Sequence, residues 1–210
     1  MLVEPLPACP PVPVFFSQPS VPQPPPLTLD AFYLHGMRLA YAEAEKAAAE
    51  GEVPAGCVIL PAPPDLFPEL FAPSTQWGTG KCVPRCQTGL LGRAHNQTET
   101  LCDATAHAEM QAITQAASAL GDWRLERTVL FTTKEPCPMC AGAIVLSRVP
   151  VVVYGLSDPK RGGQSVFGIL DHPGLIHRAR IVPGILEPEC HEQMSSFFKA
   201  RREGLLSKPQ

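Results

Sequence analysis

The stretch from His107 to Cys140 constrains this chain more than any other. It carries His107-Ala108-Glu109 and then Pro136-Cys137-Pro138-Met139-Cys140. An imidazole and two thiols form a donor set suited to a transition metal. Cysteines spaced Cys-x-x-Cys at a helix start turn both sulfurs toward one ion, and the helix N-terminus favours their thiolate forms. Between the two motifs lie a helical pattern over 105–120 and a strand pattern over 128–133. A chain that uses both motifs together must therefore return the start of one helix to the start of the next. Three protein ligands leave a fourth position open, as in a catalytic zinc centre, whereas four would close it. Glu109 is left over as a general acid/base beside a water that zinc would make acidic near neutral pH. Pro136 and Pro138 suit a rigid strand-to-helix junction, since proline fits the first helical turn. Taken singly, each part has a plainer role: a capping histidine, a redox dithiol or half a structural zinc site, a solvated helix glutamate. Their order along one chain favours the joint reading.

The rest of the pattern supplies the frame. Thr28 or Asp30 can cap a helix reaching about Glu50, with apolar residues at 34, 37, 41, 44 and 48, and Gly51 ends it. Strands are expected over 53–60, 90–96, 128–133, 149–154 and 179–185, with helices over 105–120, 138–147 and 188–203. The order αββαβαβ–loop–βα implies an α/β fold in three layers, α/β/α. Its sheet is mixed and five-stranded, with helices on both faces. The first two strands form an antiparallel hairpin, and helix-linked strands run parallel. The 149–154 strand is almost wholly apolar, as in a sheet buried on both sides.

Composition bounds the remainder. The chain has 210 residues and 25 prolines, ten of them within residues 1–26. Residues 1–26 therefore read as an extended, proline-rich tail. The domain is expected over 27–205, with a Pro- and Gly-rich insertion at 61–89 and a short tail at 206–210. The formal net charge of −3 excludes coating of nucleic acid by bulk positive charge. The charge is uneven, with residues 1–120 at −6 and residues 121–210 at +3. No apolar run approaches the roughly 20 residues of a membrane span, and no charged leader precedes the apolar segments. A reducing, cytoplasmic setting is the default, and there a cysteine pair binds metal or does redox work.

The motif residues also carry a resemblance. His-x-Glu followed by Pro-Cys-x-x-Cys is the signature of zinc deaminases. Asp103 to Glu109 and Glu135 to Ala143 together resemble the bacterial tRNA-specific adenosine deaminase family, within the cytidine and deoxycytidylate deaminase superfamily. The likeness extends to Glu52-Val53-Pro54 with Gly56, His95-Asn96, Ser147-Arg148, Asp158-Pro159-Lys160, Gly162-Gly163, His172-Pro173-Gly174, and Phe197-Phe198 with Arg201-Arg202. The resemblance implies a cytidine-deaminase-like fold and one Zn2+ per subunit on His107, Cys137 and Cys140, with Glu109 as the catalytic group. It implies hydrolytic conversion of adenosine to inosine at wobble position 34 of a tRNA anticodon stem-loop, by a homodimer. Asn96 and the backbone of Ala108 would meet the flipped base. Asp158 would make a polar contact to the anticodon backbone, and Phe198 would line the RNA groove. Turn formation by Asp158 and core packing by Phe198 are equal alternatives. Lys160, Arg161, Lys199, Arg201 and Arg202 are candidate phosphate contacts. Two positions depart from the family pattern: Ala104 replaces a usual proline, and Ala55 a larger apolar residue. Cys82 and Cys86, in the insertion, lack two further clear ligands for a second zinc.

Other readings remain. Guanine or nucleoside deaminases share His-Ala-Glu and Pro-Cys-Pro-Met-Cys, and the segments after Tyr154 separate them from tRNA enzymes. A non-catalytic RNA-binding subunit would not need Glu109. A redox protein built on Cys137 and Cys140 leaves His107 and Glu109 unexplained.

Overall fold

The computed structural model describes residues 28–72 and 89–206. The proline-rich tail, Cys82 and Cys86 lie outside these residues, as does most of the 61–89 insertion. Among the described residues, four α-helices and five strands follow in the expected order: α1 (Leu29–Ala49), β1 (Gly56–Pro61), β2 (Gly92–His95), α2 (Ala108–Leu120), β3 (Thr128–Lys134), α3 (Pro138–Leu146), β4 (Val151–Leu156), β5 (Arg180–Pro183) and α4 (Glu187–Arg202).

The sheet order is β2-β1-β3-β4-β5. β1 is antiparallel to both neighbours, while β3, β4 and β5 run parallel. The alternation of side chains along each strand sorts the core into two clusters. Cys57, Ile59, Leu130, Val152 and Tyr154 face α2 and α3, meeting Ala108, Ala112, Ala116, Ala141 and Ile144. Val58, Leu60, Val129, Phe131, Val151 and Val153 face the other way, toward Phe32, Tyr33, Met37 and Ala40 of α1 and Cys190 of α4. Both sheet faces are covered, which is why the central strands carry apolar residues at every position rather than at alternate ones.

The helix ends follow local chemistry. Thr28 Oγ1 accepts a hydrogen bond from the Ala31 N–H and opens α1. Gly51, at φ 78°, takes the left-handed conformation just beyond the end of that helix. Gly121, at φ 62°, closes α2 in the same way.

Two expectations shift. The buried face of α1 runs through Phe32, Tyr33, Gly36, Met37, Ala40, Glu43, Ala44 and Ala47. Leu34, Tyr41 and Ala48 of the expected stripe are only partly buried. Small residues at 36, 40, 44 and 47 let the helix lie close to the sheet, so size decides the face more than hydrophobicity does. The first part of the 61–89 stretch also packs into the core, where an irregular loop was expected. β1 continues to Pro61, and Ala62, Phe67 and Leu70 are buried in the α1-side core. The Phe67 ring meets Phe32 edge-on, 5.8 Å between centroids.

The close approach of α1 to β1 rests on Gly56. A Cβ there would overlap the Ala40 carbonyl oxygen and the Ala44 backbone nitrogen, neither of which can rotate away. Gly56→Ala is expected to destabilise the protein by about 3 kcal/mol through overpacking, a fall of about 6–12 °C in Tm for a domain this size. Thermal unfolding followed by circular dichroism checks this, and an unchanged Tm would show that α1 can move off the sheet freely.

Candidate active site

β1 and β3 lie side by side, and α2 and α3 start above the same end of the sheet. His107 is the N-cap residue of α2, and Cys137 is the N-cap residue of α3. The His107 ring makes no cap bond to α2, whereas Cys137 Sγ meets Cys140 in the first turn of its own helix. Both N-cap residues have extended backbone, which turns their side chains toward each other. Pro138 follows in the first turn of α3, where its missing N–H costs nothing, and Cys140 lies one turn on. His107 Nδ1 is 3.6 Å from Cys137 Sγ and 3.5 Å from Cys140 Sγ, and the sulfurs are 3.6 Å apart.

These separations test whether the three residues can hold a metal. A tetrahedral ion with Zn–S bonds of about 2.3 Å and Zn–N bonds of about 2.0–2.1 Å places its ligand atoms about 3.5–3.8 Å apart. All three distances fit, so the cluster could hold a metal ion, through Nδ1 of the histidine. The charge state suits this too. The hydrogen bond shared with Cys140 pulls the Cys137 thiol down to about 3, helped by His107, while the proton left on Cys140 is held more tightly than usual by the same pairing and by burial. The hydrogen bond to Cys137 also raises His107 above its ordinary value.

Glu109, in the first turn of α2, is 6% exposed. Its Oε2 is 3.6 Å from Cys140 Sγ, and its Oε1 accepts a long bond of 3.5 Å from Thr132 Oγ1. Burial pushes the Glu109 carboxyl up, against the pull of its backbone N–H and of His107. A carboxyl raised in this way gains and loses a proton closer to neutrality, as a general acid/base requires.

A cavity of about 250 Å³ opens beside these groups. It is smaller than the roughly 300–1,000 Å³ typical of drug-sized ligands, and it suits one small ring system. Asn96, His107, Glu109, Cys137, Asp158 and Phe198 all line it. Ala108 is fully buried at the start of α2, between His107 and Glu109, and is not itself among the residues that line the cavity. Ala55 forms part of the wall, with Val53. Phe198 is 42% exposed, whereas its neighbour Phe197 is 5% exposed and meets it edge-on. Core packing therefore belongs to Phe197 and not to Phe198.

Two loops are tied to the rim by buried carboxylates. Glu52, just before β1, is fully buried. Its Oε2 accepts from Asn96 Nδ2 at 3.0 Å and from Thr98 Oγ1 at 3.4 Å. Its Oε1 accepts from the Glu99 and Thr100 N–H groups at 2.9 and 2.7 Å. Glu135, next to the cysteine motif, accepts from the N–H groups of Asp158, Gln164 and Ser165 and from Ser165 Oγ. Asp158 is engaged as well. Its Oδ2 pairs with Lys134 Nζ at 2.7 Å, and its Oδ1 accepts from the Lys160 and Arg161 N–H groups. Burial raises the Asp158 carboxyl, but Lys134 and the two N–H groups outweigh it and leave the group below its ordinary value.

Several of these residues escaped the sequence reading. Lys134, Thr98 and Glu135 line the cavity without having been singled out. The strand position of Lys134 three residues before Cys137 was the available signal, because a charged residue at the end of a buried strand must exit near the metal motif. Nothing in the sequence marks the partners of Glu52 or Glu135. Arg161 lines the cavity as expected of a cation near the site, and Lys160, Lys199 and Arg202 are exposed. Arg201 is tied instead to the Gly51 carbonyl and to Glu99.

Similar proteins agree with this geometry. The family model of the MafB19-like deaminases matches residues 81–202. A tRNA-specific adenosine deaminase of Bacillus subtilis (strain 168) is 40% identical over 178 residues, covering 84% of this chain and 93% of the relative. That of Aquifex aeolicus (strain VF5) is 37% identical over 171 residues, covering 81% and 96%. A structure solved in a study of A-to-I editing by tRNA:A34 deaminases superposes with a TM-score of 0.61 at 33% identity, covering 76% of this chain and 98% of that one. Guanine deaminase from Nitrosomonas europaea, at a TM-score of 0.55 and 18% identity over 81% of this chain and 84% of that one, shares the fold. With a relative 40% identical across most of both chains, and with the deaminase cluster assembled in one cavity, this chain belongs to the tRNA-specific adenosine deaminase family.

Proposed function

We propose that this protein hydrolyses adenosine to inosine at wobble position 34 of tRNA anticodons, as a zinc enzyme. The observation that carries the reading is the His107, Cys137 and Cys140 cluster with Glu109 beside it in one cavity, in a chain 40% identical to a tRNA-specific adenosine deaminase. One zinc ion held by these three residues supplies Lewis acidity that makes a water nucleophilic at neutral pH. Glu109 takes the proton of the attacking water, delivers it to the ring nitrogen, and protonates the departing amine. Adenosine and water then give inosine and ammonia. Asn96 hydrogen-bonds the base beside the backbone of Ala108. Phe198 offers an exposed ring against which an unstacked base can lie. Asp158 meets the anticodon backbone together with its ion-pair partner Lys134. An anticodon loop is already single-stranded, so presenting the base costs less than in a duplex.

Residues 27–205 are assigned as the deaminase domain, with 1–26 and 206–210 as tails outside it and the cytoplasm as its place of work. No helix among the described residues is long and apolar enough to cross a membrane. A homodimer is supported by the exposed apolar side chains of Val166, Phe167, Leu175 and Ile176 in the β4–β5 connection.

The reading is tested with zinc-loaded protein on an anticodon stem-loop carrying adenosine at the wobble position, beside free guanine and free adenosine. Inosine in the stem-loop alone is expected; ammonia from guanine instead would move the protein to nucleobase deamination. Glu109→Ala is expected to keep zinc and fold while losing at least about 10²–10⁴ of the rate. Cys137→Ser should lose metal and rate together, both measurable by metal analysis beside the assay. Static light scattering at micromolar concentration should give twice the 22.6 kDa chain mass, and a monomer at all concentrations would remove the second subunit from the site.

A further inference from the structure

We propose that Glu52 is a positioning residue for substrate recognition. Its buried carboxylate fixes which way round the Asn96 amide faces the cavity. The inference deepens the reading above and rests on Asn96 meeting the substrate.

An asparagine amide has a donating end and an accepting end of nearly the same shape. Turning it over reverses what it offers to a ligand while leaving the packing almost unchanged. A site that reads a base with an asparagine must therefore prevent the turn. Asn96 is 6% exposed and lines the cavity, so its side chain has a wall on one side and the ligand space on the other. On the wall side, its Nδ2 donates to Glu52 Oε2 at 3.0 Å and to Thr98 Oγ1 at 3.0 Å. Were the amide reversed, Oδ1 would face the Glu52 carboxylate, acceptor against acceptor, in a fully buried place. An unpaired buried polar contact of that kind is strongly disfavoured.

Glu52 cannot rotate away to relieve this. Its other oxygen is held by the Glu99 and Thr100 N–H groups at 2.9 and 2.7 Å. The Asn96 N–H in turn donates to the Ala55 carbonyl at 2.9 Å, fixing the backbone from which the amide projects. One carboxylate thus holds the 96–100 turn and the amide end together. Glu52 itself does not line the cavity, and its effect on the reaction passes through Asn96.

The test is a double-mutant cycle on the full zinc-loaded chain. Glu52→Gln keeps the volume, but the Glu99 and Thr100 N–H groups hold its amide oxygen, so its NH2 faces Asn96 and favours the reversed amide. In the wild-type background it is expected to lower kcat/KM about 10- to 100-fold. In an Asn96→Ala background the same substitution should change kcat/KM by less than about twofold, because the group through which Glu52 acts is gone. Equal losses in both backgrounds would overturn the proposal, since a merely structural glutamate costs the same whether or not Asn96 is present. Metal content and Tm are measured on every variant. Should Glu52→Gln fail to fold, Glu52→Asp, which keeps the charge but draws the carboxylate away from the Asn96 amide, carries the same cycle, with additivity again overturning the proposal. The cycle is run on the wobble stem-loop, or on guanine if the wild type turns over only that. Failure of the tRNA reading and failure of this inference are then separate results.

Discussion

The cavity exists because two helices begin at the same point in space. α2 follows the edge strand β2, and α3 follows β3 at the centre of the sheet, yet both lie on one face and both open above the same strand ends. Their N-cap residues are the histidine and the first cysteine of the metal cluster. Ordinary caps return a side-chain oxygen to the free N–H groups of the first turn. Here those side chains meet each other, and the N–H groups at the starts of two helices place partial positive charge near the sulfurs. Two thiols within 3.6 Å of one another would otherwise resist ionising together. The pairing instead drives one proton off Cys137 and concentrates the remaining one on Cys140.

The sheet cannot hold the rim of the cavity, because the rim is made of turns. Glu52 and Glu135 do that instead, by equivalent means. Each sits at a strand end, one before β1 and one after β3, on the strands that pair with each other. Each is almost inaccessible and gathers four donors from a single loop. Gly162 is required for the second of these, since a Cβ there would overlap the Glu135 carboxylate. Rigid rims built on buried carboxylates let turns, which ordinarily move, carry positions that chemistry needs held to fractions of an ångström.

The sequence was legible where chemistry and period coincide. The element order, the hairpin and the parallel strands follow from alternation and from turn residues, and the residues that line the cavity include each of His107, Glu109 and Cys137. Two kinds of feature were not legible. The first is packing by small residues. Gly36, Ala40 and Ala47 carry no hydrophobic signal strong enough to outweigh Leu34 and Tyr41, so the buried face of α1 comes out rotated from the expected stripe. The second is long-range hydrogen bonding. Glu52 meets Asn96 across 44 positions of sequence and Glu135 meets Ser165 across 30, and neither spacing leaves a local period. The 62–72 stretch fails for a related reason: Phe67 and Leu70 reach the core from a segment without periodicity.

A chain of net charge −3 is an unpromising partner for a polyanion, and the arrangement of its acids answers that difficulty. Glu135 and Asp158, which line the cavity, and Glu52 behind its wall are turned toward the protein. Glu52 and Glu135 are buried against backbone and side-chain donors, and Asp158 is covered by Lys134 and by the N–H groups of its own turn. Lone pairs committed to in-chain donors present little negative potential outward. The cations differ. Arg161 lines the cavity, Lys160 is exposed beside it, and Lys134 has hydrogens left beyond the one it gives to Asp158. With a Debye length of about 8 Å at physiological salt, a phosphate at the mouth responds mainly to charges this close. Local order of charge, not its sum, is what an anionic strand would meet here.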